Sequence, residues 1–223
     1  TLDQVREEEL YLAERGYTHV YCLTGSFIPD RMAEVNARGI RAIAEAGMTP
    51  VLESGPFEQR HLEMLWSLTR GKGRHTLFQE VYDPDVYAEL HGSDPWKRDP
   101  DARLRQHEFA VAAGWPELGI GALLGLGPDM DMEIACILAH YPLLQQLLGV
   151  KRVAISVPRL QPGTGVQLRR RCSDKAFLKA VHTLRILAPH AVLVLTARER
   201  IAIRDYLWPY THSWGVAGST EPG

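Results

Sequence analysis

Residues 118–160 read LGIGALLGLGPDMDMEIACILAHYPLLQQLLGVKRVAISVPRL and contain the pattern that decides the fold. Two apolar segments, 118–126 and 152–160, have the length and composition of buried strands, whereas the apolar segment 130–149 has the length of a helix. Pro142 is a candidate break in that helix. A strand, a helix and a second strand in this order predict a βαβ unit with parallel strands.

Four glycines within residues 119–127 interrupt this apolar segment, although glycine in a strand interior costs stability and usually marks a bulge or a close approach. They are Gly119, Gly121, Gly125 and Gly127. A dinucleotide-binding G-x-G-x-x-G motif is excluded, because Leu124 occupies the position of its third glycine and the glycines lie inside the apolar segment. The glycines therefore predict that another group, either a ligand or a neighbouring part of the backbone, comes close to this strand.

The same alternation extends along the chain and predicts an α/β fold with a parallel sheet. Strands are predicted at 18–25, 49–54, 75–82, 118–126, 152–160, 191–199 and 212–218, and helices at 3–15, 31–47, 58–71, 100–114, 130–149, 173–189 and 200–208. An open doubly wound sheet and a TIM-type (β/α) barrel that lacks its first strand and last helix both suit this pattern. We expect one domain over 1–223, cut from a longer protein, because the chain starts at a helix cap without an initiator Met.

The composition and charge of the chain argue against several classes of function. The chain is 45% apolar with a net charge of −2, which argues against a nucleic-acid surface and predicts a sizeable core. Cys22, Cys136 and Cys172 form no C-x-x-C pair, so no zinc site is predicted and a reducing compartment, the cytoplasm, is expected. No signal peptide is visible, and no apolar run reaches the roughly 18–20 residues of a membrane span.

Polar residues at the predicted strand ends carry most of the functional information, because ligands of parallel α/β folds bind there. They are Thr24, Gly25, Ser26, Glu53, Gln79, Glu80, Arg159, Arg198 and Glu199. Two cations and three potential anions indicate a zwitterionic ligand such as an amino acid. The structural alternatives are a salt bridge between Glu80 and Arg198 and a loop-bonding role for Gln79.

Several short motifs occur in a fixed order at these strand ends. They are QEVY (79–82), LH (90–91), KRDPDARL (97–104), AAGW (112–115), GIGALLGL (119–126), ISVPRL (155–160), TARE (196–199) and AGSTEPG (217–223). Together they resemble the radical S-adenosylmethionine enzymes of the aromatic amino acid lyase group, the tyrosine and tryptophan lyases, to which biotin synthase is a more distant relative. The resemblance covers the whole chain and favours the incomplete barrel.

This resemblance implies the chemistry. S-adenosylmethionine would be cleaved to a 5′-deoxyadenosyl radical, which abstracts hydrogen from tyrosine or tryptophan and fragments its side chain. The family holds a [4Fe–4S] cluster through a C-x₃-C-x₂-C loop, which this chain lacks, so the cluster ligands are expected upstream of Thr1. An electron donor such as flavodoxin or ferredoxin is implied, and neither nucleic acid nor membrane is expected as a partner.

The resemblance also implies roles for individual residues, though no catalytic residue. The S-adenosylmethionine contacts would be Thr24, Gly25, Ser26, Gln79, Glu80, Tyr82, Arg103, Gly119, Gly121 and Arg159, where the two glycines would let the adenine approach and Ser26 replaces the acid of a T-G-E turn. Arg198 would anchor the substrate carboxylate, since a guanidinium matches a carboxylate at two points, and Ser219 would also contact substrate. Val216 replaces a serine of the family pattern.

Two alternatives to the aromatic lyase remain open at this point. One is a cluster-free (β/α) barrel that binds a small amino acid derivative without redox chemistry. The other is a radical reaction like that of biotin synthase. A cysteine triplet upstream of Thr1 distinguishes the first alternative from the radical enzymes, and substrate screening distinguishes the second.

Overall fold

The computed structural model describes residues 2–25, 28–95, 97–161, 170–197 and 199–214. Helices and strands alternate as predicted. The helices are α1 (Leu2–Glu14), α2 (Pro29–Glu45), α3 (Gln59–Ser67), α4 (Pro84–His91), α5 (Pro100–Ala112), α6 (Met130–Leu148), α7 (Asp174–Leu187), α8 (Ile201–Leu207) and a 3₁₀ turn (Trp208–Tyr210). The strands are β1 (His19–Leu23), β2 (Thr49–Glu53), β3 (Arg74–Thr76), β4 (Glu117–Gly121), β5 (Arg152–Ser156), β6 (Val192–Leu195) and β7 (Ser213–Trp214).

The chain divides into two compact units, and the first comprises the described residues of 1–77 and 95–118. In this unit β1 pairs in parallel with β2, from His19 opposite Thr49 to Leu23 opposite Glu53. The strand β2 pairs in parallel with β3, starting with Val51 opposite Arg74. Parallel pairing of these strands confirms the prediction and places their carboxyl ends at one edge.

The core of the first unit is built from buried faces of β2 and of the helices beside it. Val51 and Leu52 are completely buried, as are Leu62 and Leu65 of α3. Trp115 donates its indole N–H to the carbonyl oxygen of Leu62 at 3.1 Å, so this large ring is buried with its polar atom satisfied.

The second unit comprises the described residues of 78–94 and 119–219. Here β5 pairs in parallel with β6, and β6 pairs in parallel with β7. Asp83, Asp129 and Ser173 cap α4, α6 and α7 by accepting hydrogen bonds from backbone N–H groups of the first turn. These caps fix where each helix begins after the preceding strand or loop.

Strands β4, β5 and β6 end at Gly121, Ser156 and Leu195, earlier than the predicted ends at residues 126, 160 and 199. Three further elements differ from the prediction. Helix α4 was not predicted, although Asp83 followed by Pro84 is a typical helix start. Helix α6 continues through Pro142, which removes one backbone donor but leaves the buried face with Ile137 and Leu144 intact. Strand β3 ends at Thr76 instead of residue 82, and Glu80, within the predicted strand, forms an isolated parallel bridge with Ala122.

At the end of the chain, β7 begins within the predicted strand 212–218, of which 215–218 lie outside the described residues. Within the described residues, none of the helices combines the length and the apolar character that spanning a membrane requires.

Candidate functional site

The segment Gln79–Glu80 runs alongside the end of β4 in the second unit. The backbone N–H of Gln79 donates to the carbonyl oxygen of Gly121 at 3.0 Å, and Leu123 N–H donates to the carbonyl oxygen of Glu80 at 2.7 Å. Glu80 and Ala122 form a parallel bridge. The predicted site residues Gln79, Glu80 and Gly121 are therefore brought together.

The residues after β5 continue this arrangement beside the segment 122–124. Leu124 N–H donates to the carbonyl oxygen of Pro158 at 2.8 Å, and Leu160 N–H donates to the carbonyl oxygen of Leu124 at 2.9 Å. Leu124 and Arg159 form a parallel bridge. Three neighbouring segments thus carry Glu80, Gly121 and Arg159 at the carboxyl-end edge, where the sequence predicted a ligand.

The protein itself accounts for three of the four glycines in 119–127. A Cβ atom on Gly121 would lie 2.0 Å from the carbonyl oxygen of Ser156, which belongs to β5. A Cβ on Gly127 would lie 2.7 Å from a carboxylate oxygen of Glu133. Gly125 has φ of 100°, which favours glycine. The approach of an adenine ring to Gly119 and Gly121 stays a prediction.

Gln79 and Glu80 differ in the polar partners of their side chains. Gln79 is 6% exposed, and the described residues provide no hydrogen bond to its side-chain amide. Glu80 has φ of 70°, uncommon for a residue with a Cβ, and its carboxylate lies 3.0 Å from Nε2 of His91. A side-chain amide offers both donors and an acceptor, so Gln79 is a candidate to bind a polar ligand.

Tyr82 points its hydroxyl into the protein, where it lies 2.9 Å from Nδ1 of His140. Burial raises the pKa of the Tyr82 hydroxyl and lowers the pKa of His140 to about 4, so both side chains are neutral near pH 7. The predicted contact between Tyr82 and S-adenosylmethionine stays a prediction. The described contact favours a role in holding the segment 79–82.

Glu133 of α6 anchors the same segment from the other side. Its carboxylate accepts a hydrogen bond from the backbone N–H of Tyr82 at 2.8 Å and a second from Asp83 N–H. Burial raises the pKa of Glu133, and these two hydrogen bonds oppose that shift. Sequence analysis missed Glu133 because it is 51 residues from Tyr82 in the chain.

Arg159 lies in a dense group of acceptors. Its guanidinium contacts both carboxylate oxygens of Glu199, one of them at 2.9 Å, and donates to Asp174 at 2.8 Å and to the carbonyl oxygen of Cys172 at 3.2 Å. The hydrogen bonds to Glu199 raise the pKa of Arg159, and the contact with Arg159 lowers the pKa of Asp174. This arrangement favours a structural ion pair, and the predicted cofactor contact stays a prediction.

In the first unit, Thr24 and Gly25 follow β1 at the edge where a ligand was expected. The Thr24 hydroxyl lies 2.5 Å from the Ser54 hydroxyl and accepts a hydrogen bond from the Asn36 amide at 3.0 Å. Among the described residues, a Cβ on Gly25 would meet nothing within 4 Å. The Thr24 side chain therefore has internal partners, and the open position beside Gly25 is the accessible part of this turn.

Arg103 lies in α5 of the first unit with 5% exposure. Gln106, one turn further, is fully buried and holds the backbone of Phe57 by accepting from its N–H and donating to its carbonyl oxygen at 2.8 Å. His75 is also buried, which lowers its pKa to about 4 and keeps the ring neutral. The prediction that Arg103 contacts the cofactor is not tested by these contacts.

Three predicted site residues, Ser26, Arg198 and Ser219, lie outside the described residues. Among the described contacts, the Glu199 carboxylate pairs with the Arg159 guanidinium, and the Glu80 carboxylate lies against the His91 ring. In the described part of the chain, no group of three or more His, Cys, Asp or Glu side chains is arranged to hold a metal ion.

Comparisons with known proteins identify a family model and an enzyme that this chain resembles in sequence. A family model described as the Biotin and Thiamin Synthesis associated domain matches residues 156–219. The 2-iminoacetate synthase of Escherichia coli (strain K12) is 27% identical over 227 residues, a match that covers all of this chain and 59% of that protein.

Solved structures agree with this relation. The FeFe-hydrogenase maturase HydG from Carboxydothermus hydrogenoformans superposes with a TM-score of 0.86 and 31% identity, covering 97% of this chain and 51% of that one. Methylornithine synthase (PylB) shares the fold at a TM-score of 0.69 and 19% identity, covering 96% of this chain and 61% of that one. The predicted resemblance and the predicted barrel-type α/β fold are confirmed.

Proposed function

We propose, from the homology to 2-iminoacetate synthase and HydG, that this chain is the S-adenosylmethionine- and substrate-binding part of a radical lyase that acts on tyrosine or tryptophan. The chain spans about half to three fifths of the length of these relatives, so the activity belongs to a longer protein in this proposal. The observation that carries it is homology over the whole chain together with the motif order at the strand ends.

The residues of the second unit fit a polar cofactor. The buried Gln79 amide has no partner among the described residues, and the Glu80 carboxylate beside it is partly exposed, so both can bind polar groups of S-adenosylmethionine. In the first unit, the open turn at Gly25 and the buried guanidinium of Arg103 are the candidates from the motifs. These assignments, with Thr24, rest on the resemblance.

S-adenosylmethionine and a [4Fe–4S] cluster held by residues upstream of Thr1 would, after one-electron reduction, supply the 5′-deoxyadenosyl radical and release methionine. The described residues bind and orient the cofactor, and the apolar segments 119–127 and 152–160 limit access of water. Arg198 is the proposed anchor of the substrate carboxylate and Ser219 a second substrate contact. A low-potential donor such as flavodoxin or ferredoxin would supply the electron, and the cytoplasm is the proposed compartment.

The test uses the full-length protein, loaded with iron and sulfide without oxygen and mixed with S-adenosylmethionine, dithionite and either tyrosine or tryptophan. We expect 5′-deoxyadenosine and a side-chain fragment of one of the two amino acids, measured by liquid chromatography and mass spectrometry. A cluster-loaded protein that never cleaves S-adenosylmethionine would contradict the proposal and favour a cluster-free amino acid-binding barrel. Cleavage that only other substrates stimulate would favour chemistry like that of biotin synthase.

Arg198→Lys tests the substrate anchor separately. Lysine keeps the charge but loses the planar two-point contact, so we expect most amino acid product to be lost while S-adenosylmethionine cleavage persists. The two products are measured in parallel. Equal modest losses of both, with a lower melting temperature, would identify Arg198 as a structural residue.

A further inference from the structure

His91 ends helix α4 and lies against Glu80, eleven residues earlier in the chain. Nε2 of His91 is 3.0 Å from a carboxylate oxygen of Glu80, within ion-pair distance although not in hydrogen-bond geometry, and the His91 side chain is only 12% exposed. The ring also packs against Tyr87, with ring centroids 4.8 Å apart. His91 is therefore held on one side by an aromatic ring and faces the Glu80 carboxylate with the other.

The backbone conformation of Glu80 makes the contact with His91 important for the direction of the Glu80 carboxylate. At φ of 70°, Glu80 departs from regular strand geometry, so pairing with Ala122 alone does not define where its carboxylate points. The helix that carries His91 is itself fixed at its start, because Asp83 caps α4 and donates its own N–H to Glu133. The segment from Glu80 to His91 is thus held by the contacts of Asp83 and by the contact between His91 and Glu80.

The position of His91 suits this contact. His91 lies in the last turn of α4, and its ring faces the Glu80 carboxylate. A carboxylate offers about four lone-pair sites on its two oxygens, so the Glu80 side chain, which is 27% exposed, can hold more than one partner at a time.

We propose that His91 is a positioning residue that orients the Glu80 carboxylate for binding S-adenosylmethionine. This inference rests on the proposed function, and it assigns a role to the LH motif (90–91) that the resemblance alone left without one. His91 acts through Glu80 and touches neither cofactor nor substrate in this proposal.

The test compares His91→Phe, His91→Gln, Glu80→Gln and the double variant that combines His91→Phe with Glu80→Gln, each in the cluster-loaded full-length protein. Phenylalanine keeps the packing against Tyr87 and loses the polar contact, whereas glutamine keeps an N–H donor. The readouts are the dissociation constant of S-adenosylmethionine by equilibrium dialysis and the melting temperature. His182→Phe is the matched control, because His182 also packs against a tyrosine, Tyr210, at 4.6 Å.

We expect His91→Phe to weaken S-adenosylmethionine binding about tenfold, as loss of a supporting contact around a binding residue does. Glu80→Gln should weaken it similarly, and the double variant should add less than about twofold, because both changes break one interaction. His91→Gln should recover most of the affinity, and His182→Phe should not change it.

Two results would overturn the inference while leaving the proposed function intact. One is an affinity of His91→Phe for S-adenosylmethionine equal to that of the wild type. The other is additive losses in the double variant. A wild-type protein that is cluster-loaded and does not bind S-adenosylmethionine at all would instead contradict the proposed function and, with it, this inference.

Discussion

The carboxylate of Glu133 lies 2.8 Å from the backbone N–H of Tyr82 and joins helix α6 to the segment that carries Gln79 and Glu80. Glu133 is 2% exposed, and its carboxylate accepts hydrogen bonds from the backbone N–H groups of both Tyr82 and Asp83. A side chain 51 residues away thus fixes the backbone on which the proposed cofactor contacts are mounted.

Glu133→Ala should destabilise the protein by about 2–4 kcal/mol, because it removes the buried carboxylate that accepts from two backbone donors. Asp131→Ala, in the same turn of α6, removes only the exposed contact with Lys179 and should cost less than about 1 kcal/mol. Urea unfolding followed by circular dichroism measures both. Equal losses in the two variants would show that Glu133 does not anchor the segment.

Gly121→Ala and Gly25→Ala should give opposite results. The added methyl group at Gly121 would lie 2.0 Å from the carbonyl oxygen of Ser156, so we expect a loss of about 3 kcal/mol or more, or no soluble folded protein. At Gly25 the methyl group meets nothing within 4 Å, so stability should be unchanged.

Binding measurements extend this comparison. If the turn at Gly25 contacts S-adenosylmethionine, Gly25→Ala should weaken binding of that cofactor by the full-length protein without lowering the melting temperature. A Gly121→Ala protein with wild-type stability would contradict the close packing of β4 and β5 that the structure describes.

The order of elements was predictable because local signals repeat along the chain. Glycine ends the predicted helices at Gly16, Gly47 and Gly114, and Asp99 and Ser173 provide caps that the sequence alone makes visible. Parallel pairing followed from the alternation itself. Helix α4 was missed because its eight residues are too few for a clear apolar period.

The partners of individual side chains could not be predicted, because they depend on register and on contacts between distant residues. The reason that residue 121 is glycine lies in the Ser156 carbonyl, 35 residues later, and appears only once β4 and β5 are aligned. Arg159 was predicted as a cofactor contact from its strand-end position, but nothing local to it indicated that Glu199 and Asp174 would face its guanidinium.

Arg159 provides a test that separates a structural role from a cofactor contact. Removing one member of a buried ion pair leaves the other charge without compensation, so Arg159→Met should cost about 3–5 kcal/mol of stability. Arg200→Ala, which removes an exposed contact with the same Asp174, should cost less than about 1 kcal/mol. The comparison is made by urea unfolding.

A double variant completes that test. Arg159→Met combined with Glu199→Gln should recover part of the loss, because no uncompensated charge remains. If Arg159→Met keeps wild-type stability and only weakens S-adenosylmethionine binding, the residue is a cofactor contact as the motif predicted.

Glu9 should make the stability of this chain depend on pH. It is 8% exposed in helix α1, one of its carboxylate oxygens has no hydrogen-bond partner among the described residues, and burial, followed by the charge of Glu8, raises its pKa to about 7. The folded state therefore holds the proton more tightly than the unfolded state, whose pKa is near 4.5. The stabilisation from the protonated form is complete below about pH 4.5 and is lost as the pH rises through about 7.

Glu9→Gln mimics the protonated carboxyl, so it should become more stable than the wild type as the pH rises from 5 to 8, by about 1–2 kcal/mol after allowance for solvent screening. Glu7→Gln is the control, since Glu7 is exposed on the same helix, and it should follow the wild type at every pH. Urea unfolding at four pH values between 5 and 8 gives the free energy of unfolding for each protein. Parallel curves for wild type and Glu9→Gln would mean that the Glu9 carboxylate is solvated in the folded chain, and that its side chain turns out of the space between α1 and β1.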